Sequence, residues 1–437
     1  MLRRIPRLYS TAAALAVAAA LASAQRYGPA HTWWDAGMGG YLPWDESFDN
    51  PDGQVTIVNH KGSVQTKGHP FFEALGTNGR ACVTCHQPAN AMALSGAAAR
   101  QRWIETGGRD PLFAAIDGSN CPDLPQEAAA SHSLLLDRGL IRIPLPWPPK
   151  DRHGAAIHPD FRLEVVSDPT GCNTSPVYGV RSAHPSISVY RRPRIAANLN
   201  QVSVLMSDGR EPSLESQAIS AILGHEESGT HPTLEQLRRI VAFESQVYAA
   251  QGSDIRGGLL EGEDGPALLG PQNLASGKAG KFGDSAREMV HLFDVWRRPK
   301  GAGDLGLQRE FRASIARGAD LFFGRCAGCH TAGTTRWIEI GTTQVEDPSL
   351  PLFRITCNDG GRVFETHDPG RALITGHCED AGAIVLGQMR GLAARAPYFS
   401  NGSAKTLRDV VDYYSRRFSI PYNEWQKQDL INFLKSL

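Results

Sequence analysis

Two pentapeptides carry chemistry in this chain: Cys82-Val-Thr-Cys85-His86 and Cys326-Ala-Gly-Cys329-His330. Two thiols three residues apart reach the two vinyl groups of one haem and close thioether bonds. The histidine that follows lies under the iron as an axial ligand. Chance is a poor explanation, because 8 cysteines and 14 histidines in 437 residues give on the order of 0.005 such pentapeptides. A zinc site or a redox dithiol needs no trailing histidine in both copies. The sequence therefore implies two covalently bound haem c groups. Cys82, Cys85, Cys326 and Cys329 are the attachment points, and His86 and His330 the proximal iron ligands.

The elements around both motifs are alike. Gly68-His69-Pro70-Phe71-Phe72-Glu73 precedes the first, and Ala316-Arg317-Gly318-Ala319-Asp320-Leu321-Phe322-Phe323 precedes the second. An aromatic pair and a short turn into the motif, used twice, reads as an internal duplication. Helix signals recur downstream. Ser213 caps a helix through Glu215, Gln217 and Ile222. Thr233-Leu-Glu-Gln236 is a capping box that opens a helix with Leu237, Ile240, Val241 and Val247 on one face. Thr406-Leu-Arg-Asp409 opens another, with Leu407, Val410, Val411 and Tyr414 in line. Leu430, Phe433, Leu434 and Leu437 repeat that spacing. The expected fold is mainly α: two cytochrome c-type haem lobes with long loops and an insertion in the N-terminal lobe.

The organisation follows. Residues 1–24 read as a signal peptide: Arg3, Arg4 and Arg7, an apolar stretch from Thr11 to Ala22, and the cleavage pattern Ala22-Ser23-Ala24. An uncleaved anchor is the bland alternative. After it come an N-terminal extension (25–67), an N-terminal haem domain (68–251) with an insertion at about 110–180, a linker (252–304) that is Gly-rich from Gly252 to Gly283, and a C-terminal haem domain (305–437). No later stretch approaches the roughly 20 apolar residues of a membrane span, so a soluble periplasmic protein is expected. The 45 basic and 45 acidic side chains balance, which argues against nucleic acid and anionic membranes as partners. Four cysteines remain. In an oxidising compartment Cys121–Cys172 and Cys357–Cys378 is the economical pairing, with free thiols as the alternative.

Four stretches, in this order, resemble the bacterial dihaem cytochrome c peroxidases and their relative MauG. They are His69-Pro-Phe-Phe before Cys82; Asp208-Gly-Arg210 with Leu214-Glu-Ser-Gln-Ala218; His367-Asp-Pro-Gly-Arg371 with Thr375-Gly376; and Arg390-Gly-Leu-Ala-Ala-Arg-Ala-Pro-Tyr-Phe399 with Asn401-Gly-Ser. The resemblance implies reduction of hydrogen peroxide at the N-terminal haem, with electrons from a small donor cytochrome or cupredoxin relayed by the C-terminal haem. The alternatives are a MauG-like oxidase or oxygenase using peroxide or dioxygen on a protein or organic substrate, and a dihaem electron carrier without catalysis. Two departures stand out. Ser207 and Ser400 occupy positions where the family usually has tryptophan and histidine. Serine offers no accessible redox state for a hole passing between haems.

By the same resemblance, Gln217 and Glu227 fall at the catalytic glutamine and glutamate, with His225 and Glu226 beside them as alternatives. Arg210 is assigned to a haem propionate, which suits a guanidinium fork. Tyr414, with Met389 as its rival, is the candidate distal ligand of the second haem. A core tyrosine is the bland reading. His184 is the candidate on the first haem, against a plain surface histidine. Relatives hold calcium through carbonyls near Arg395 and Pro397. Here the basic Arg191 and Arg192 stand near where a side-chain ligand belongs, which weighs against the metal.

Overall fold

The computed structural model describes residues 33–202, 204–278, 286–297, 306–330, 337–339 and 347–437. The expected export signal lies outside them, as do parts of the linker. The principal helices are α1 (Cys82–Cys85), α2 (Gly96–Thr106), α3 (Leu214–Gly224), α4 (Leu234–Glu244), α5 (Gly306–Arg325), α6 (Leu407–Arg417) and α7 (Glu424–Ser436). Their starts follow the capping chemistry. Ser213 Oγ accepts from Ser216 N at 3.2 Å. Thr233 and Gln236 bond reciprocally, as do Thr406 and Asp409, so the shorter aspartate serves as well as glutamate. One expectation fails: α4 ends at Glu244, and Val247 opens a strand instead of extending the helix face.

The mainly α expectation is also incomplete. Helix accounts for 34% and strand for 19% of the chain, and the described residues form five small antiparallel sheets. Six strands position the site: β1 (Gly53–Asn59), β2 (Ile141–Pro146), β3 (Phe161–Ser167), β4 (Ser186–Arg191), β5 (Val247–Asp254) and β6 (Leu352–Cys357). β1 pairs with β5, and β2 with β4. β3 crosses to the C-terminal half, where Phe161 faces Cys357 and Leu163 faces Ile355 on β6. The partner strand lies far away in the chain, out of reach of any local pattern. The expected insertion is therefore stitched into the C-terminal half by a sheet. Both expected disulfides form, Cys121–Cys172 with Cα atoms 5.2 Å apart and Cys357–Cys378 with 5.7 Å. Among the described residues, no helix is long and apolar enough to cross a membrane.

The two halves repeat one packing device. Phe71 and Phe72 meet edge-on with ring centroids 5.2 Å apart, and Phe243 from α4 closes on them at 4.6 and 5.2 Å. Phe322 and Phe323 meet at 5.4 Å, and Phe433 from α7 closes on them at 5.2 and 5.9 Å. In each case the first phenylalanine faces the motif histidine, His86 at 6.4 Å and 44°, His330 at 6.3 Å and 45°. The aromatic pairs noted in the sequence are thus the plates on which the two histidines rest.

Helices α5 and α7 cross closely at Gly318. A Cβ there would run into the Asp429 carbonyl oxygen, and around this contact the Asp429 carboxylate accepts from Ser314 Oγ at 2.5 Å and Arg317 Nε at 2.8 Å. Gly318→Ala is expected to destabilise the C-terminal half by about 1–3 kcal/mol through overpacking, read as a lower melting temperature. Gly324→Ala, on the same helix with open space around it, should leave the melt unchanged or raise it slightly.

Candidate haem-attachment sites and the cavity beside them

The first motif is held from both ends. His86 N donates to Cys82 O at 3.1 Å, closing the single turn of α1. Gln87 is fully buried, and its amide bonds Trp34 N, Trp34 O and Val83 O. Ala91 and Met92 both take φ 57°, a left-handed reversal that returns the Met92 carbonyl to His86. Nδ1 of His86 lies 3.2 Å from that oxygen. An N–H there leaves Nε2 with the free lone pair, the tautomer an axial ligand needs. Burial drives the His86 pKa down to about 4, so the ring is neutral.

Cys82, Cys85 and His86 open onto a cavity with about 1220 Å³ of empty space, counted out to its mouth. Its walls come from α3 (Gln217, Ala218, Ala221), α4 (Ile240, Glu244), β2 (Ile141, Ile143) and the segments Arg191–Ala196 and Leu205–Ser207. Residues on β2 belong to the expected insertion, so that insertion walls the first site. The imidazoles of His86 and His225 are the only aromatic rings among the lining residues.

The charge around the cavity is mostly cationic. Arg191 lies between two carboxylates: Nη1 donates to Asp208 at 2.6 Å, and Nε and Nη2 donate to Asp368 at 2.7 and 2.9 Å. Burial pushes the Asp208 pKa up, but Arg191 and Arg210 outweigh it and the net shift is downward. Asp208 also takes Arg210 Nη1 at 2.6 Å, which sets that guanidinium at the cavity wall. Arg194 donates to the Val385 and Leu386 carbonyls at 2.9 and 2.7 Å. Arg192 donates to the carbonyls of Leu94 and Pro397. Neither has a carboxylate partner among the described residues. Burial and the nearby Arg395 pull the Arg192 pKa down to about 9 and the Arg194 pKa down to about 10. Buried cations without anions fit a bound group that brings carboxylates, as a haem does.

The acid–base groups gather at the end of α3. His225 Nδ1 lies 2.5 Å from Asp117 Oδ2, and Asp117 is also paired with the buried Arg80. Proximity to Asp117 alone would favour an imidazolium. Burial, then Arg80 and Arg210, bring the His225 pKa down to about 4 instead, and Asp117 is already neutralised by Arg80, so the ring is neutral. Glu226 is buried in the wall, its carboxyl accepting from Leu75 N at 2.9 Å and pushed up to about 7 by burial. Glu244 is pushed up to about 8 for the same reason. Gln217 and His225 line the cavity as expected from the sequence. Glu227 does not. It has φ 52°, which turns it outward to an exposed position where it accepts from Asn78 Nδ2 at 3.0 Å. Asp117 had no local signal, since it meets His225 across 108 residues.

At the second motif, His330 N donates to Cys326 O at 2.9 Å, the same turn as in the first. Residues 331–336 and 340–346 lie outside the described residues, so the surroundings are known in part. The Tyr414 hydroxyl stands 3.4 Å from His330 Nε2, with the rings edge-on at 83°. Burial pushes the Tyr414 pKa up to about 12. Met389 packs against the C-terminal core instead. His184 is exposed and not part of the cavity wall. It lies before β4, at the opposite end of that strand from cavity-lining Arg191. No group of three acidic, histidine or cysteine side chains among the described residues suits a metal ion. The Pro397 carbonyl assigned to calcium is taken by Arg192, so these residues do not fit that metal.

No family model matches the chain. The chain is 24% identical over 285 residues to cytochrome-c peroxidase IdrP1 of Denitromonas iodatirespirans, covering 59% of this chain and 71% of that protein. It is 24% identical over 271 residues to methylamine utilization protein MauG of Methylophilus methylotrophus, covering 58% and 69%. A solved MauG-like protein associated with microbial copper homeostasis aligns with 58% of this chain and 74% of its own at 18% identity, with a TM-score of 0.33, too distant to bear on the fold. The chain is thus similar, at low identity, to a cytochrome-c peroxidase and to MauG.

Asp208→Asn keeps the shape of the Arg191 site and removes a charge. It leaves Arg191 with Asp368 alone and Arg210 with no carboxylate partner among the described residues. The expected cost is about 3–5 kcal/mol, as for other broken buried pairs, measured by thermal or denaturant unfolding of the holoprotein.

Proposed function

We propose that this chain is an exported dihaem c-type cytochrome that reduces hydrogen peroxide with electrons from a small donor cytochrome or cupredoxin. The observation that supports this most is the cavity: it joins a neutral, oriented His86 and two haem-attachment thiols to buried acid–base groups. When bound, a c-type haem supplies an iron that exchanges electrons with peroxide. The chain's own part is to move protons. With Nδ1–H donated to Asp117, His225 presents Nε2 as a base that takes a proton from one peroxide oxygen and returns it to the other. Gln217 brings an amide to the same cavity. Arg194 and Arg210 take the haem propionates. Tyr414 is the distal ligand proposed for the second haem.

One observation favours the second reading, a MauG-like oxidase or oxygenase. Among the described residues that line the cavity there is no tyrosine, tryptophan or phenylalanine, and Ser207 lies in its wall, its carbonyl accepting from Val385 N at 2.8 Å. A hole formed at the first site has no aromatic stepping stone there, which favours its use on a substrate nearby over relay to a donor.

Two outcomes are expected. The holoprotein should carry two covalent haems, counted by mass and by the pyridine haemochrome spectrum, and Cys326→Ala with Cys329→Ala should remove one of them. Haem that extracts into acid acetone would refute the attachment. In stopped-flow mixing with peroxide, His225→Ala should slow the reaction by about 10²–10⁴-fold, the usual scale of a lost acid–base group. Ser207→Trp should speed oxidation of a reduced donor without changing that first step. Native donor oxidation that already keeps pace with the peroxide step would favour the peroxidase and remove the role given to Ser207.

A further inference from the structure

Arg192 lies at the junction between the two ends of the molecule. Its neighbour Arg191 turns toward Asp208 and Asp368, so Arg192 points the other way. Nη2 donates to the Leu94 carbonyl at 2.6 Å, Nη1 to the Pro397 carbonyl, and its backbone N to the Ser400 carbonyl at 2.9 Å. Leu94 is two residues beyond Met92, whose carbonyl orients His86. Pro397 is two residues before Phe399, whose ring lies 5.0 Å from Tyr413 and 6.1 Å from Tyr414. Tyr414 in turn faces His330 at 3.4 Å. One buried guanidinium therefore joins the loop that aims the first motif histidine to the loop that packs behind the second.

The chemistry of the junction calls for a cation. Its ligands are backbone carbonyls, and no carboxylate among the described residues reaches Arg192. The nearby Arg395 is likewise bonded to carbonyls, those of Arg390 and Gln388. A guanidinium is planar, offers several donors at once and cannot dissociate from the chain.

We propose that Arg192 is a resident cation that couples the axial-ligand surroundings of the two haem sites and replaces a metal ion between the two halves. The proposal rests on the dihaem reading above, so haem is counted first. A protein without two covalent haems defeats that reading, whereas the outcomes below concern Arg192 alone.

The holoprotein is analysed for calcium, then its absorption and electron paramagnetic resonance spectra and its melting temperature are recorded with and without excess EGTA. Substoichiometric calcium and no change on chelation are expected. Arg192→Leu should lower the melting temperature by roughly 5 °C or more and alter the spectra of both haems, although both remain attached. Arg192→Lys, which keeps the charge, should restore most of both spectra. If Arg192→Leu does not fold, the lysine variant and Arg192→Gln, which keeps donors without charge, carry the comparison. Stoichiometric calcium, a chelator-induced shift, or an uncharged variant with native spectra at both haems would overturn the proposal.

Discussion

The buried Arg191 side chain, held between Asp208 and Asp368, is the constraint on which the site depends. It joins a carboxylate 17 residues away to one 177 residues away. Each partner alone would be a buried charge at heavy desolvation cost. Together the three nearly satisfy one another, with Gly370 N adding a bond to Asp368 at 2.8 Å. The arrangement fixes the Asp-Gly-Arg stretch against the His-Asp-Pro-Gly stretch. Arg210 then reaches the cavity wall because Asp208 holds it there, and Ser207 meets Val385 because both flanks of the link are fixed.

Around this link the cavity is more cationic than a folded interior tolerates by itself. Arg192 and Arg194 each donate to two carbonyls, Nε of Arg192 is left without a partner, and neither side chain meets a carboxylate among the described residues. Such a wall suits a ligand that carries negative groups, as the proposed haem does. The acid–base cluster differs in kind. Arg80, Asp117 and His225 balance among themselves, which leaves the imidazole neutral and oriented before anything binds.

The expected insertion changes the balance of the molecule. Its strand β3 pairs with β6 in the C-terminal half, its strand β2 walls the first cavity, and Asp117 at its start orients His225. The segment read from the sequence as an insertion thus contributes to the same site as Cys82, Cys85 and His86.

The sequence by itself determined whatever is local. The two pentapeptides specify their own turn, because thiol spacing and the trailing histidine fit one helical turn. The caps at Ser213, Thr233 and Thr406 specify helix starts through bonds spanning three residues. The disulfide pairing was also legible, from the nearness of each pair in the chain. Glu227 turns outward through its left-handed backbone, which family spacing does not encode, and His184 takes the exposed position that was its alternative reading. The sheets, the Arg191 link, the Asp117–His225 pair and the Arg192 junction were decided by tertiary structure alone. Each joins residues far apart in the chain, and no local propensity records which distant group will neutralise a buried charge.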